Sequence, residues 1–116
     1  DGIRDSVASR GLGDVYKRQI ISPVKASLEG LTVSLASELA PNIRVNCIAP
    51  SLSNSKMASK MLKNPKISEA IAKQHPLKRL GEGLDSAALA KFLISAESSW
   101  ITGQIIGVDG GRSNVG

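Results

Sequence analysis

Apolar side chains fall at Val24, Leu28, Leu31, Leu35 and Leu39, at spacings of 4, 3, 4 and 4. That is one stripe along a helix of 3.6 residues per turn. Ser22 can cap such a helix and Pro23 suits its first position. Pro41 stops it at Ala40. Beside the stripe stand small residues, Ala26, Ser27, Gly30, Ser34 and Ser37, which let another backbone approach closely. The period then changes to two. Ile43, Val45, Cys47 and Ala49 alternate with Arg44, Asn46 and Ile48, which predicts a strand over 43–49 ended by Pro50. Arg44 is charged, so its end of the strand should reach solvent or a partner carboxylate.

The stretch from Ser51 to Pro76 predicts two short helices, over 56–62 and 65–74. Met57 and Met61 share one face of the first, while Lys56, Lys60 and Lys63 share another. Residues 77–84 read as loop, with Gly81 and Gly83. Asp85 or Ser86 caps a helix reaching about Ala96, with Ala88, Leu89, Phe92 and Leu93 inward. A second strand over 101–108 ends in the turn Asp109-Gly110-Gly111. Two strands joined through a long helical crossover imply a parallel sheet. No internal repeat interrupts this order. Residues 1–19 hold neither period. They resemble a peptide that stands before unrelated proteins in translated assemblies, a read-through of library adapter. Genuine sequence is expected from about Ile20, with residues 1–19 non-native.

Composition narrows the chemistry. A chain of 116 residues, 41% hydrophobic and 22% charged, fits one globular domain. Tyr16, Phe92 and Trp100 are its only aromatics, so the core must be Leu, Ile, Val and Ala. One cysteine, Cys47, excludes an internal disulfide and a Cys-rich zinc site. It reads as a small core hydrophobe. One histidine, His75, argues against a His-rich metal centre or a Ser-His-Asp triad. Lying before Pro76, it reads as a turn or surface residue. No stretch approaches 18 apolar residues, so no membrane span is expected. The charged, unblocked N-terminal stretch is no secretory signal, and a reduced cytoplasmic setting is expected.

Net charge is +5, but residues 56–79 hold seven basic side chains against Glu69 alone. Nucleic-acid binding would add stacking aromatics or an arginine-rich reading element. Neither is present, so this segment reads as a solvated basic face. Two glycine-loop near-misses, at 11–16 and 81–86, lack the third glycine and follow no strand.

The most informative block is Lys25-Ala-Ser-Leu-Glu-Gly-Leu-Thr32, then Ser37-Glu-Leu-Ala-Pro41 running into Ile43-Arg-Val-Asn-Cys-Ile-Ala-Pro50. His75-Pro-Leu-Lys-Arg-Leu-Gly81 and Ile101-Thr-Gly-Gln-Ile-Ile-Gly-Val-Asp-Gly-Gly111 follow in order. With these motifs the chain resembles the short-chain dehydrogenase/reductase family over residues 20–113. The resemblance implies a Rossmann-type α/β fold, a doubly wound parallel sheet with only its C-terminal portion present. The half carrying the glycine-rich phosphate loop and the family's catalytic serine and asparagine is missing.

The resemblance also implies a site. In the family a Tyr-x-x-x-Lys pair does the chemistry. The tyrosine moves a proton to or from the substrate oxygen. The lysine binds the nicotinamide ribose and lowers the tyrosine pKa. Lys25 matches that lysine, but Ile21 occupies the tyrosine position. Tyr16 cannot replace it, because the residue four further on is Ile20. Three explanations follow: another acid/base, nucleotide binding without turnover, or junction damage reaching past residue 19. The family's Pro-Gly-x-x-x-Thr loop is here Pro50-Ser51-Leu52-Ser53-Asn54-Ser55. Cofactor contacts are thus implied at Lys25, Pro50, Ser51, Leu52, Ser53 and Ser55. Ser55 keeps the hydroxyl, and Ser51 replaces a glycine at some cost in backbone freedom. Residues 53–76 would form a lid over the substrate, offering Met57 and Met61 to it. The implied function is an NAD- or NADP-dependent oxidoreductase for a small carbonyl or alcohol. The alternative is a non-catalytic nucleotide-binding protein or scaffold of the same fold. A homo-dimer or homo-tetramer is implied, pairing through the Leu28–Leu39 helix and the last strand. No metal, nucleic acid or membrane partner is expected.

Overall fold

The structure is a computed structural model that describes residues 12–53 and 59–115, with only the backbone described for residues 12–23 and for Met61. Ser55, Lys56 and Met57 lie outside the described residues.

Helix α1 spans Leu12–Leu39. It runs through Ser22 and Pro23 instead of starting there. Helical hydrogen bonds are local to the backbone and need no apolar period. The missing period over residues 12–19 therefore bears on burial, not on helix formation. A proline removes one such bond, and the helix continues across it. Toward its end the helix packs with small side chains. Thr32 and Ala36 are buried, Leu35 and Leu39 half-buried, and Val24, Leu28 and Leu31 exposed. Ala36 meets Gly103, where an added Cβ would lie 3.5 Å from the alanine methyl. Gly103 has φ +70°, a conformation that suits glycine.

Strand β1, Cys47–Pro50, pairs in parallel with β2, Ile105–Val108. Cys47 faces Ile105 and Pro50 faces Val108. Both strands are shorter than their sequence patterns. The preceding segments still lie side by side, but side chains intrude on the ladder. Val45 N donates to Thr102 Oγ1 at 3.0 Å. Asn46 Nδ2 donates to Ile101 O at 3.1 Å, and its Oδ1 accepts Gln104 N at 3.1 Å.

Between the strands come α2, Ser59–Leu62, α3, Pro65–Lys73, and α4, Gly83–Leu93. Asn64 caps α3, its Oδ1 accepting Lys66 N at 3.0 Å. The cap of α4 is Glu82, not Asp85 or Ser86. Asp85 lies one turn inside and reaches back, its Oδ2 accepting Glu82 N at 2.8 Å. The helix stops at Leu93, short of Ala96, and a 3-10 turn follows over Ala96–Ser98. Leu93 is buried and Leu89 half-buried as the pattern predicts, but Ala88 and Phe92 are exposed. The inward face is Ser86, Leu89, Ala90 and Leu93.

Among the described residues Arg44 finds no carboxylate. Its Nη1 donates to Ser98 Oγ at 3.0 Å and to Ile101 O at 3.3 Å, and its Nη2 donates to Ser95 O at 3.3 Å. Ser98 is wholly buried and donates to Leu93 O at 2.9 Å. The guanidinium thus joins the turn after α4 to the segment that leads into β2. Among the described residues, Ala36 and Leu93 are the only buried hydrophobic side chains.

Candidate functional site

Parallel pairing puts the carboxyl ends of β1 and β2 side by side, Pro50 against Val108. Ligands of open parallel sheets bind beyond such ends. The ladder continues one residue further, with Ser51 N donating to Val108 O at 3.2 Å. Ser53 Oγ donates to Ser51 O at 3.2 Å. Ser53 also bridges in parallel to Gly81, where an added Cβ would lie 2.9 Å from Ser53 Oγ. A side chain at 81 would require the Ser53 hydroxyl to move. Pro50 is exposed, and Ser51, Leu52 and Ser53 are half-exposed.

His75 belongs to this site. It lies in the turn after α3, as its place before Pro76 suggests, but only 2% of it is exposed, so it is not a surface residue. Its Nδ1 lies 2.9 Å from Ile71 O and its Nε2 lies 2.9 Å from Ser51 Oγ. A carbonyl oxygen only accepts, so Nδ1 carries the proton. In the neutral ring Nε2 is then the acceptor and the Ser51 hydroxyl donates to it. Leu77 N donates to Gly110 O at 3.2 Å, so the chain after His75 is also tied to the turn after β2.

Around these groups lies a cavity of about 320 Å3, lined in part by Ser51, Ser53, His75, Arg79, Asp85 and Asp109. Its carboxylates are already engaged. Arg79 Nη1 and Nη2 donate to Asp85 Oδ2 and Oδ1 at 2.8 and 2.9 Å. The Arg79 guanidinium, with Glu82 N, holds the Asp85 carboxyl down from its ordinary 3.8 to about 2. Asp85 in turn raises the Arg79 pKa. Asp109 accepts Gly111 N at 2.9 Å and Ser113 N at 3.1 Å. Hydrogen bonds from Ser113 and from Gly111 N put its pKa below the ordinary carboxylate value. Both groups are therefore ionised at neutral pH and unsuited to trading protons there.

Of the residues singled out in the sequence, Ser51 and Ser53 meet at this cavity, with Pro50 and Leu52 on the same loop. Lys25 is exposed on α1 and does not line the cavity. Ile21 stands one turn before it. Ser55 lies outside the described residues. His75, which sequence reasoning set aside, is the residue that joins the loop to the helical segment. A serine at 51 in place of the family's glycine was the available signal, because its hydroxyl needs a partner. Among the described residues no group of three or more His, Cys, Asp and Glu side chains could hold a metal. Nor is any described helix long and apolar enough to cross a membrane.

The profile of a family described as "Enoyl-(Acyl carrier protein) reductase" matches residues 5–113. A protein named tropinone reductase-like 3, from Erythroxylum coca, is 41% identical over 87 residues, covering 75% of this chain and 34% of that protein. Human dehydrogenase/reductase SDR family member 4 is 42% identical over 88 residues, covering 75% of this chain and 32% of that protein. The chain thus spans about a third of the length of these relatives. Among solved structures, a putative gluconate dehydrogenase from Agrobacterium tumefaciens superposes with a TM-score of 0.72 at 33% identity, over 78% of this chain and 36% of that one. A 4-hydroxyisoleucine dehydrogenase complexed with NADH superposes with a TM-score of 0.72 at 31% identity, over 77% of this chain and 37% of that one. The parallel α/β unit is part of a Rossmann fold. On this profile, these relatives and this fold, the chain belongs to the short-chain dehydrogenase/reductase family.

Proposed function

We propose that residues 20–116 are the C-terminal part of an NAD- or NADP-dependent oxidoreductase that interconverts a carbonyl and an alcohol on a small molecule. The observation that carries this reading is the Pro50–Ser53 loop. It leaves the carboxyl end of a parallel strand, where sheets of this kind bind ligands, in a chain of a dehydrogenase/reductase family.

The residues present fit a nicotinamide nucleotide. Lys25 is exposed and forms no ion pair among the described residues, so its ammonium is available to ribose hydroxyls. Pro50, Ser51, Leu52 and Ser53 are exposed or half-exposed on the loop that would meet the nicotinamide end, to which Ser55 would add a hydroxyl. When bound, the nucleotide supplies or accepts the hydride. The segment over 53–76 covers the substrate and excludes water. Ile21 has no proton to give, so the substrate oxygen must exchange its proton with another group. The intact protein is cytoplasmic and forms a homo-dimer or homo-tetramer, and residues 1–19 are adapter-derived.

The test is nicotinamide absorbance with the intact protein, NADH or NADPH, and a panel of ketones and aldehydes. Turnover with either nucleotide is the expected result. Failure to bind both would overturn the reading. Ile21 favours a second reading, a nucleotide-binding protein of the same fold without turnover. Tight nucleotide binding, silence across the panel and turnover gained by Ile21→Tyr would establish it. Substantial turnover in the unmodified protein would remove it.

A further inference from the structure

We infer that Ser51 and His75 are a pair of positioning residues, through which the helical segment over the site sets the placement of the nucleotide-binding loop. The inference rests on the functional reading above for what the loop binds. Neither residue is assigned a step in the chemistry.

The geometry is that of a strut. The family's loop has glycine after the strand proline, and glycine can offer no side chain. Here Ser51 supplies a hydroxyl, which is hydrogen-bonded to His75 Nε2 at 2.9 Å. The ring cannot turn away cheaply. It is buried, and its other nitrogen donates to Ile71 O in the last turn of α3. Breaking the Ser51 bond would leave a buried ring nitrogen without a partner, which costs more than the bond itself contributes. At its other end the strut is also fixed, because Ser51 N is held by Val108 O.

Two further ties lie within a few residues. Ser53 bridges to Gly81, and Leu77 N donates to Gly110 O. The trailing end of the covering segment is thus fastened to both strand-end loops. Of these ties, the Ser51–His75 bond is made side chain to side chain, so it is the one that a substitution can remove cleanly. It couples two events. A loop held in place by His75 costs less to order when nucleotide binds, and a bound nucleotide holds the loop that anchors the segment.

The experiment uses the intact protein. NADH and NADPH affinities are measured by fluorescence titration for the unmodified protein and for Ser51→Ala, Ser51→Gly, Ser51→Thr, His75→Ala, His75→Gln and the double alanine variant. The rate of tryptic cleavage within the lysine-rich stretch 60–73 is followed in parallel. Ser51→Ala, Ser51→Gly and His75→Ala are expected to weaken nucleotide binding by about three- to tenfold and to speed cleavage. Ser51→Thr and His75→Gln keep a hydroxyl and an acceptor, and should retain most of both properties. The double variant should be no weaker than the worse single one. Unchanged nucleotide affinity in the alanine variants would overturn the inference, as would losses that add in the double variant. If His75→Ala does not fold, the two small Ser51 variants carry the test. If the unmodified protein binds neither nucleotide, the functional reading fails by itself. Cleavage rates then decide, and unchanged rates in Ser51→Ala would sink the strut.

Discussion

Lys78 has a φ of 57°, in the left-handed region where a side chain costs about 1 kcal/mol. The turn pays this because its other bonds require it. Lys78 N donates to His75 O at 2.8 Å, and Leu77 N reaches Gly110 O. The exposed Lys78 Nζ donates to Lys73 O at 3.0 Å, a contact that contributes little in water. Lys78→Gly is therefore expected to raise the stability of the intact protein, by about 0.5–1 kcal/mol. Urea unfolding checks it, and a fall in midpoint would show that the lysine bond outweighs the strain. His75 and Arg44 share a lesson about legibility. The sequence shows His75 before a proline and Arg44 in a strand pattern. It does not show Ser51 lying 24 positions from His75, or Ser98 lying 54 positions from Arg44. Local reasoning therefore sends His75 to a turn or the surface, and Arg44 to solvent or a carboxylate. The fold instead satisfies both with hydroxyls and carbonyls.

At the scale of elements, the periods in the sequence find the helices and both strands, because period reports which side of an element is buried. Ends are less legible, since they depend on who supplies the hydrogen bonds. Asn46 and Thr102 take over ladder positions and shorten β1 and β2. Asp85 is recognisable as a helix-start residue, but it acts from the first turn of α4, accepting Glu82 N and pairing with Arg79. That arrangement has a pH signature. Because the folded carboxyl sits near 2 and the unfolded one near 3.8, folding favours the ionised form. Its stabilisation is complete above the unfolded value and is lost as pH falls through the folded value. Stability should thus rise with pH between about 2 and 4. Asp85→Asn should flatten that part of the profile and fray the start of α4. The check is the unfolding midpoint against pH for both proteins. Parallel curves across this window would show that Asp85 is not the group responsible.

Whole-molecule organisation was legible for a different reason. Four motifs in register carry the family resemblance, so the fold class follows even where single positions such as Ile21 depart from it. What the described residues then show is a surface made to be covered. Two parallel strands of four residues each form the sheet, and parallel strands are ordinarily buried on both faces. Val24, Leu28, Leu31 and Val33 are each more than half exposed along α1, as are Leu84, Ile94 and Trp100 elsewhere. A two-stranded sheet seldom holds by itself in water, and Ala36 with Leu93 is a small core to hold it. The bonds that do exist, such as the Arg44 contacts and the Ser51–His75 strut, specify geometry more than they drive collapse. The 116-residue chain expressed alone is therefore expected to melt without a sharp transition and to bind an apolar dye at room temperature. On the functional reading proposed above, added strands and a second subunit cover these faces and restore cooperativity. Calorimetry on the isolated chain decides the matter. A sharp, cooperative endotherm would mean that this two-stranded unit is a domain in its own right, and that the exposed stripe on α1 serves something other than completing the fold.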